Sequence, residues 1–433
     1  MCDTLCGPGA GGMVFAKNSD RPVGEVQLAV PFGRRPTAGC TLRTQYLSIG
    51  DTGAHAALLS CPTWLWGAEH GVNEFGVAIG NERVNTVHQA ALARPALIGM
   101  DMVRLALERA RSAEEGLAVL IDLLTTYGQG GIADAVHNEA YDSSFLIADA
   151  RDAFVLDTSG TNYAAAPFPR GTAISNRLGV GSGWTQASPD LDAGDDFDRF
   201  RDPGAPTASA DARLGASRSF LDTQRTARTG LTAAATAAHL RDHGNGPWGA
   251  PGSRGPVQPP PTGHHADLSA AADADPDPAT AGHPATATDP ATATDTASKA
   301  SVCMHVPQRS VTAASLIAVL PPDLAAGAPL RAYVALGSPC VSIYVPAFVR
   351  TLAGSLFVPF ELSSEVMWRA ADALRERVDA DPESIESIRE VLGPVEEELW
   401  GEADDVVEHP DRWNEVGRSW GSRALGALQS CHP

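Results

Sequence analysis

The sequence lacks the patterns that mark disulfide-rich, metal-binding and membrane-spanning proteins. Its seven cysteines are odd in number and widely scattered, and the 433 residues contain neither a C-x-x-C pair nor an H-E-x-x-H motif. These absences argue against a disulfide framework and against a zinc site, so we expect no metal and no cofactor. No apolar run approaches the roughly 20 residues that a membrane-spanning helix needs.

Positive charge is scarce as well. Thirty-two Lys and Arg residues against 52 Asp and Glu residues give a net charge of −20, which disfavours nucleic acid and anionic membranes as partners. Lysine occurs only at positions 17 and 299, so Lys17 is unusual in a chain that otherwise uses arginine. The first twenty residues have neither the basic nor the apolar region of a signal peptide, and we expect a cytoplasmic protein. The sequence leaves a homo-oligomer open.

Strand patterns dominate the N-terminal half, and helical patterns close the chain. Residues 2–6 and 13–18 flank a glycine-rich turn, so the second strand should run back beside Cys2. Ser112-Ala-Glu-Glu115 is a capping box that opens a helix over 113–127. Strands before and between helices predict mixed α+β layers. Further strands are expected at 52–60, 76–80, 144–148, 154–158, 311–320 and 332–336, helices at 96–111, 214–229 and 231–243, and an acidic loop at 186–215.

The composition changes sharply over residues 245–300, where Pro, Ala, Thr, Asp and Gly dominate and near-repeats occur. Such a segment buries too little apolar area to offset its ordering entropy. We therefore predict a disordered low-complexity insertion within a single domain over 2–430, because strand patterns resume directly after it. Residues 361–430 are predicted to form a helical segment packed on that domain, with four tryptophans as packing anchors: Trp368, Trp400, Trp413 and Trp420.

Cys2 directly follows Met1, and this position gives it a chemistry that an internal cysteine lacks. Removal of Met1 would leave a residue that carries both a thiol and a free α-amine. An α-amine with an ordinary pKa of about 7.7–8.0 can accept the thiol proton near neutral pH, so one residue supplies nucleophile and base. The alternative is an ordinary small residue at the second position.

Lys17 and Asp20 come at the end of the strand that should lie beside Cys2. A carboxylate such as Asp20 could hold the α-amine in position, and a cation such as Lys17 would favour the thiolate. The alternative is a surface turn, because Asn-Ser-Asp-Arg-Pro is also an ordinary turn sequence.

Three further residues have side chains suited to such a site. Asn81 follows a strand pattern, and Asn176 follows another one. An Asn amide can donate to an oxyanion, a contribution of about 2.7–4 kcal/mol. Arg218 could bind a substrate carboxylate through its fork of donors, or pair with one of the many acidic residues.

Eight segments, in order over roughly residues 2–350, resemble the secernin family, which is related to bacterial dipeptidases. They are long and unusual, and the 245–300 stretch interrupts their order. The segments are Met1-Cys2-Asp3-Thr4-Leu5, Phe15-Ala-Lys17-Asn18-Ser19-Asp20-Arg21, Trp64-Leu-Trp-Gly-Ala-Glu69, Gly71-Val-Asn73-Glu74, Ile79-Gly-Asn81-Glu82, Ile174-Ser-Asn176, Ser301-Val-Cys303-Met-His305 and Gly337-Ser-Pro-Cys340-Val-Ser-Ile-Tyr.

This resemblance implies the clan of N-terminal nucleophile hydrolases, with a four-layer αββα sandwich. It implies Cys2 as nucleophile, its α-amine as base and Asp20 as the residue that orients the amine. The Arg-Asn-x-Asp motif of the clan becomes Lys17-Asn-Ser-Asp20 here, which keeps the charge but loses the fork of donors. Asn176 would match the Asn of the oxyanion hole, and Asn81 a second Asn of the site.

Three functional hypotheses follow. The first is an amide hydrolase of the dipeptidase type that acts on small peptides without a cofactor. The second is the same machinery acting on another acyl substrate, such as an N-acyl amide or a lactam. The third is a non-catalytic, secernin-type interaction protein whose nucleophile is unused or converted to another group.

Overall fold

The computed structural model describes residues 2–37, 39–88, 94–244, 301–306, 309–324, 329–350, 356–409, 412 and 416–432. The 245–300 insertion and Trp413, both subjects of sequence predictions, lie outside the described residues. Within the described ranges, no helix combines the length and the hydrophobicity that crossing a membrane would require.

Seventeen strands in the described part of the chain form two large antiparallel sheets and one small ribbon. In chain order they are β1 (Cys2–Gly9), β2 (Gly12–Arg21), β3 (Gln27–Phe32), β4 (Thr41–Arg43), β5 (Ser48–Gly50), β6 (Ala57–Pro62), β7 (His70–Asn73), β8 (Ala78–Val84), β9 (Asp142–Ala148), β10 (Ala153–Ser159), β11 (Asn162–Pro167), β12 (Thr172–Ser175), β13 (Gln186–Ala187), β14 (His305–Val306), β15 (Ser310–Leu320), β16 (Leu330–Leu336) and β17 (Val345–Arg350).

The first sheet has the order β12-β1-β2-β15-β16-β17, with β14 paired to β15, and we call it sheet A. The second has the order β13-β11-β10-β9-β8-β7-β6-β3, and we call it sheet B. The β4-β5 ribbon stands apart from both. In sheet A the chain returns from β1 to β2 as a hairpin that pairs Cys2 with Ser19, as the sequence predicted.

Seven α-helices in the described ranges flank the sheets. They are α1 (Gly99–Arg109), α2 (Ala113–Tyr127), α3 (Ala208–Thr226), α4 (Ala233–Leu240), α5 (Glu365–Ala380), α6 (Ser384–Glu408) and α7 (Trp420–Ser430). Short 3₁₀ turns occur at Phe197–Phe200, Pro339–Val341, Phe360–Ser363 and Gly417–Ser419.

Successive side chains of the central strands point to opposite faces of sheet A and so contribute to two different apolar layers. In β1 and β2, Cys6 and Phe15 face sheet B and join the core between the sheets. Their neighbours Leu5 and Ala16 face the other way and pack with Leu214 of α3. Because strand side chains alternate in direction, one hairpin serves both layers. On sheet B, a separate apolar cluster joins α1 and α2 to the outer face. The architecture is therefore the four-layer αββα sandwich that the family resemblance implied.

Local signals placed α2 correctly, and tertiary contacts moved other boundaries. The Ser112 hydroxyl accepts from the Glu115 N–H at 3.1 Å and caps α2, which ends at Gly128 as expected. The helix expected from residue 96 begins at Gly99 instead, because Leu97 pairs in extended conformation with Gln129. The expected loop over 186–215 contains the first two turns of α3, whose Ala210 and Arg213 are buried.

Three of the four expected tryptophan anchors pack the C-terminal helices in the described structure. Trp368 and Trp420 are fully buried in the core cluster. The Trp368 indole N–H donates to the Ala313 carbonyl at 2.9 Å, and Trp400 donates to the Tyr344 carbonyl at 2.7 Å. These bonds attach α5 and α6 to the β15–β17 side of sheet A.

Candidate active site

The Cys2 thiol lies at the start of β1, where its residue is 5% exposed. The backbone N–H of Asp20 donates to the Cys2 Sγ at 3.3 Å. Burial raises the pKa of the thiol to about 12, although the positive charge of Lys17 opposes this rise. The resting thiol is therefore protonated at neutral pH, and attack on a carbonyl requires a base beside it.

The Cys2 nitrogen is held by Asn176, the residue that follows β12. Its N–H donates to the Asn176 Oδ1 at 2.6 Å, and the same oxygen accepts from the Arg213 Nη2 at 2.9 Å. The Asn176 Nδ2 donates to the Arg83 carbonyl at 3.0 Å. Because this donor is already engaged, the geometry favours a role in positioning the Cys2 nitrogen over the oxyanion role that the resemblance implied.

Asp20 faces the helix layer and is fully buried. Its Oδ1 accepts from the Thr312 hydroxyl at 2.7 Å, and its Oδ2 lies 4.0 Å from the Arg213 Nη1. Burial raises the pKa of this carboxyl to about 6, while the charge of Arg213 and the hydrogen bond from Thr312 act in the opposite direction. Asp20 is thus mainly ionised at neutral pH, near the cation that favours its charge.

Lys17 lies on the opposite face of the same strand, between the two sheets. Its Nζ donates to the Asn81 carbonyl at 2.7 Å and pairs with the Glu82 carboxylate at 3.3 Å. Gly80 makes room for it, since a Cβ there would lie 2.7 Å from the Lys17 Cδ. Burial alone would lower the Lys17 pKa, but the negative charge of Cys2, once it becomes a thiolate, and that of Glu82 raise it overall. Lys17 therefore supplies a permanent buried cation.

Glu82 completes this interior charge pair. It accepts from the Thr4 hydroxyl as well as from Lys17. Burial raises its pKa to about 7, with the Lys17 charge opposing the rise. The Lys17–Glu82 pair thus joins β2 of sheet A to β8 of sheet B beneath Cys2.

Asn81 contributes to the site through its backbone carbonyl, which accepts from Lys17. In the orientation that satisfies its hydrogen bonds, its side-chain amide donates to the Glu69 carbonyl at 2.9 Å and to the Glu69 carboxylate at 3.1 Å. Glu69 also pairs with Arg21 at 2.8 Å. The Asn81 side chain therefore supports a neighbouring buried ion pair.

Arg213 is the arginine of α3 that contacts Cys2, and the sequence reasoning missed it. Its Nη1 donates to the Cys2 carbonyl at 3.0 Å and pairs with Asp3, and its side chain is 1% exposed. Burial opposes its charge, but Asp3 and Asp20 raise its pKa overall. A signal was present, because Arg213 belongs to the buried stripe of α3 at helical spacing. The stripe comprises Ala210, Arg213, Leu214, Ser217 and Leu221.

Arg218, the arginine expected from the sequence, lies off that stripe. It lines a small cleft beside β12, together with Ile174, Arg177 and Leu214. Partial burial and the charge of Arg177 lower its pKa. The structure thus brings Cys2, Asp20 and Asn176 together around Arg213, joins Lys17 and Asn81 from the side between the sheets, and leaves Arg218 in the neighbouring cleft.

No family model matches the chain. The chain has structural similarity to several solved enzymes. A variant of the conjugated bile acid hydrolase from Clostridium perfringens is 9% identical, with 77% of this chain and 89% of that chain covered and a TM-score of 0.40. Penicillin V acylase from Agrobacterium tumefaciens is 12% identical, with 77% and 83% covered and a TM-score of 0.34.

The Caenorhabditis elegans ortholog of N-acylethanolamine-hydrolyzing acid amidase is also similar. It is 11% identical, with 41% of this chain and 71% of that chain covered and a TM-score of 0.28. These likenesses concern the layered architecture. The chemistry of the site follows from the side chains of this chain.

Proposed function

We propose that this protein is a cysteine N-terminal nucleophile hydrolase that cleaves the amide bonds of small peptides, in the manner of secernin-related dipeptidases. One observation carries the proposal: the sulfur and the nitrogen of Cys2 are each bound to a buried partner, Asp20 N–H and Asn176 Oδ1. A residue that must act as nucleophile and base at once needs both atoms to be fixed. The eight secernin-like segments support the dipeptidase assignment.

The reaction begins with the base, because burial keeps the thiol protonated. Once Met1 has been removed, the Cys2 nitrogen is an α-amine that accepts the thiol proton. The thiolate then attacks the scissile carbonyl, and a tetrahedral intermediate forms. The α-amine returns its proton to the leaving amine as the C–N bond breaks, which leaves a thioester on Cys2. Water, deprotonated by the same amine, hydrolyses the thioester and releases the acid.

The surrounding charges suit these steps. Lys17 favours the thiolate from the interior side. Asp20 and Asp3 lie on the helix side, where Arg213 holds both carboxylates near the Cys2 backbone. Asp20 stabilises the protonated amine during attack, and Asn176 keeps the amine directed at the sulfur. The mechanism uses no cofactor.

The decisive experiment compares the parent with Cys2→Ala after intact mass has established that Met1 is absent from both. The parent is expected to hydrolyse members of a dipeptide panel, and Cys2→Ala is expected to lose at least about 10³-fold in kcat/KM. Cys40→Ser is the matched control, because Cys40 is an exposed cysteine remote in sequence from the site. Dipeptide hydrolysis at the parental rate by Cys2→Ala would contradict the mechanism.

The same assay tests the substrate class. N-acyl amino acids and a lactam are offered beside the dipeptides at equal concentration. Cleavage of these compounds with dipeptides untouched would move the assignment to an N-acyl amide hydrolase. A chain that retains Met1, or carries a modified Cys2, and cleaves neither set would favour the non-catalytic role.

A further inference from the structure

A second cysteine cluster lies on sheet A and plays no part in the reaction above. His243, Cys303, His305 and Cys340 each direct one ligand atom inward, and these four atoms all lie within 4.8 Å of one another. Cys303, His305 and Cys340 are buried, and His243 is half-buried. We propose that this cluster is a structural Zn²⁺ site with two thiolate and two imidazole ligands.

The spacing of the ligand atoms suits zinc. The His305 Nε2 lies 3.5 Å from the Cys303 Sγ and 3.3 Å from the Cys340 Sγ. Zinc binds sulfur at about 2.3 Å and imidazole nitrogen at about 2.0–2.1 Å, so a tetrahedral site separates S and N by about 3.6 Å. Both observed S···N distances are therefore within a few tenths of an ångström of that separation, and small side-chain rotations would complete a tetrahedral site.

The imidazole of His305 is held as a metal ligand would be. Its Nδ1 binds the Asp379 carboxylate of α5 at 2.8 Å, and Asp379 in turn pairs with Arg375 at 2.6 Å. A carboxylate on one ring nitrogen fixes the tautomer and directs the lone pair of the other nitrogen at the metal. Here that other nitrogen, Nε2, is the atom that faces both sulfurs.

The donor set also selects the ion. Two cysteines and two histidines suit Zn²⁺, whereas Mg²⁺ and Ca²⁺ prefer oxygen ligands. Two thiolates neutralise the charge of Zn²⁺, which lowers the cost of burying it. Four protein ligands fill a tetrahedral shell and leave no position for substrate, so the site is structural and not catalytic.

The ligands join parts of the chain that are distant in sequence. His243 follows α4, and Cys303 lies two residues before β14, whose first residue is His305. Cys340 lies in the 3₁₀ turn after β16. The Cys303 N–H already donates to the Asp242 carbonyl at 2.9 Å, which brings the first two segments together. Zinc would lock these segments and the β16 turn to one another.

The test uses the full chain, purified without a polyhistidine tag and under reducing conditions, and it measures zinc by plasma mass spectrometry. We expect about one Zn²⁺ per chain, either as purified or after incubation with ZnCl₂ and removal of the excess. Cys340→Ser and His305→Gln should each lower the bound zinc at least about tenfold. Cys61→Ser, which alters a buried cysteine of β6 outside the cluster, should leave it unchanged.

A second measurement uses the parent protein alone, so its result does not depend on whether the variants fold. Titration of metal-free parent with Co²⁺ should produce the intense visible bands of a tetrahedral site together with thiolate-to-cobalt charge transfer. A folded parent that takes up neither Zn²⁺ nor Co²⁺ would overturn the proposal. So would a Cys303–Cys340 disulfide found by mass spectrometry in protein isolated without oxidant.

Discussion

Two buried clusters on sheet A contain cysteine, and the groups around each suit its thiol to a different proposed role. Near Cys2 lie its own nitrogen, the cation Lys17, and Arg213, which donates to the Cys2 carbonyl. Around Cys340 lie a second cysteine and two imidazoles. Cations and an amine suit a thiol that must become an attacking thiolate, whereas imidazole nitrogens directed at two sulfurs suit a metal. The sulfur itself does not decide between these roles.

Thr312 connects the two clusters. Its hydroxyl donates to the Asp20 carboxylate at 2.7 Å and accepts from the Met304 N–H at 2.9 Å. Met304 lies between Cys303 and His305, so the backbone of the proposed zinc site is bonded to the residue that supports the carboxylate of the proposed active site. One side chain therefore bridges the two clusters.

A change at the amino terminus is expected to separate the two clusters most clearly, because it should affect peptide hydrolysis alone. An uncleaved extension ahead of Cys2 should reduce peptide hydrolysis about 10²–10⁴-fold, because it converts the α-amine base into an amide. The zinc content should not change. The measurement is kcat/KM and bound zinc before and after a site-specific protease leaves Cys2 as the first residue. Equal activity in the two forms would show that Cys2 does not depend on a free amine.

Removal of Arg213 should cost the most stability. Arg213→Met leaves Asp3 and Asp20 buried without their cation, and we expect the free energy of unfolding at pH 8 to fall by about 3–5 kcal/mol. The loss should shrink on acidification towards pH 5, since both carboxyls have raised pKa values and become neutral as they protonate.

Denaturant unfolding at the two pH values measures this effect. Arg218→Met is the matched control on the same helix, and its effect should stay within about 0.5 kcal/mol. Equal destabilisation by the two variants would mean that the buried charge cluster is not the cause.

Two variants of Asn176 distinguish a role in positioning the Cys2 amine from a role in binding the oxyanion. Asn176→Asp keeps an oxygen that can accept from the Cys2 nitrogen but removes the amide donor, whereas Asn176→Leu removes both. We expect about a 10²-fold loss of kcat in the Leu variant and less than about a tenfold loss in the Asp variant. If the Asp variant were as slow as the Leu variant, the amide donor would be the functional group and the oxyanion role would be restored.

The smallest expected effect concerns the link between the clusters. Thr312→Val removes a hydrogen bond that lowers the pKa of Asp20, so that pKa should rise from about 6. In the proposed mechanism, activity depends on ionised Asp20 and falls as the pH drops through this pKa. The acid limb of the pH–kcat/KM profile should therefore move up by about one pH unit. Thr312→Ser keeps the hydroxyl and should restore the parental profile; an unmoved limb in Thr312→Val would exclude Asp20 as its source.

Much of the fold was accessible from local patterns. The hairpin at the amino terminus, the capping box of α2 and the grouping of strands before and between helices are short-range signals, and the structure contains the corresponding elements. Boundaries such as the start of α1 at Gly99 were not accessible, because the long-range pairing of Leu97 with Gln129 decides them. Local propensity does not include partners that are distant in sequence.

In the candidate site too, local sequence patterns predict some contacts and only the tertiary structure fixes the others. Cys2, Lys17 and Asp20 stand on one hairpin, and turn geometry alone brings them close. Arg213 was missed because the expected helix began at residue 214, which left Arg213 in the expected loop, whereas α3 begins at Ala208. The sheet beneath α3 then decides that Arg213, and not Arg218, is on the buried side. The expectation of no metal rested on linear spacing, whereas the cluster proposed here joins His243, the Cys303–His305 pair and Cys340 across three segments.

The sequence by itself determined the neighbours of Cys2 on the hairpin and the layered α+β architecture, because these depend on adjacency and on the period of apolar residues, and it predicted Cys2 as a nucleophile. Only the tertiary structure decided which amide holds the Cys2 nitrogen, which arginine balances Asp3 and Asp20, and that two cysteines and two histidines converge. Those contacts form between chain segments separated by a hundred residues or more in several cases, such as Cys2 with Asn176. The packing of two sheets and their helices, and not any local propensity, sets such distances.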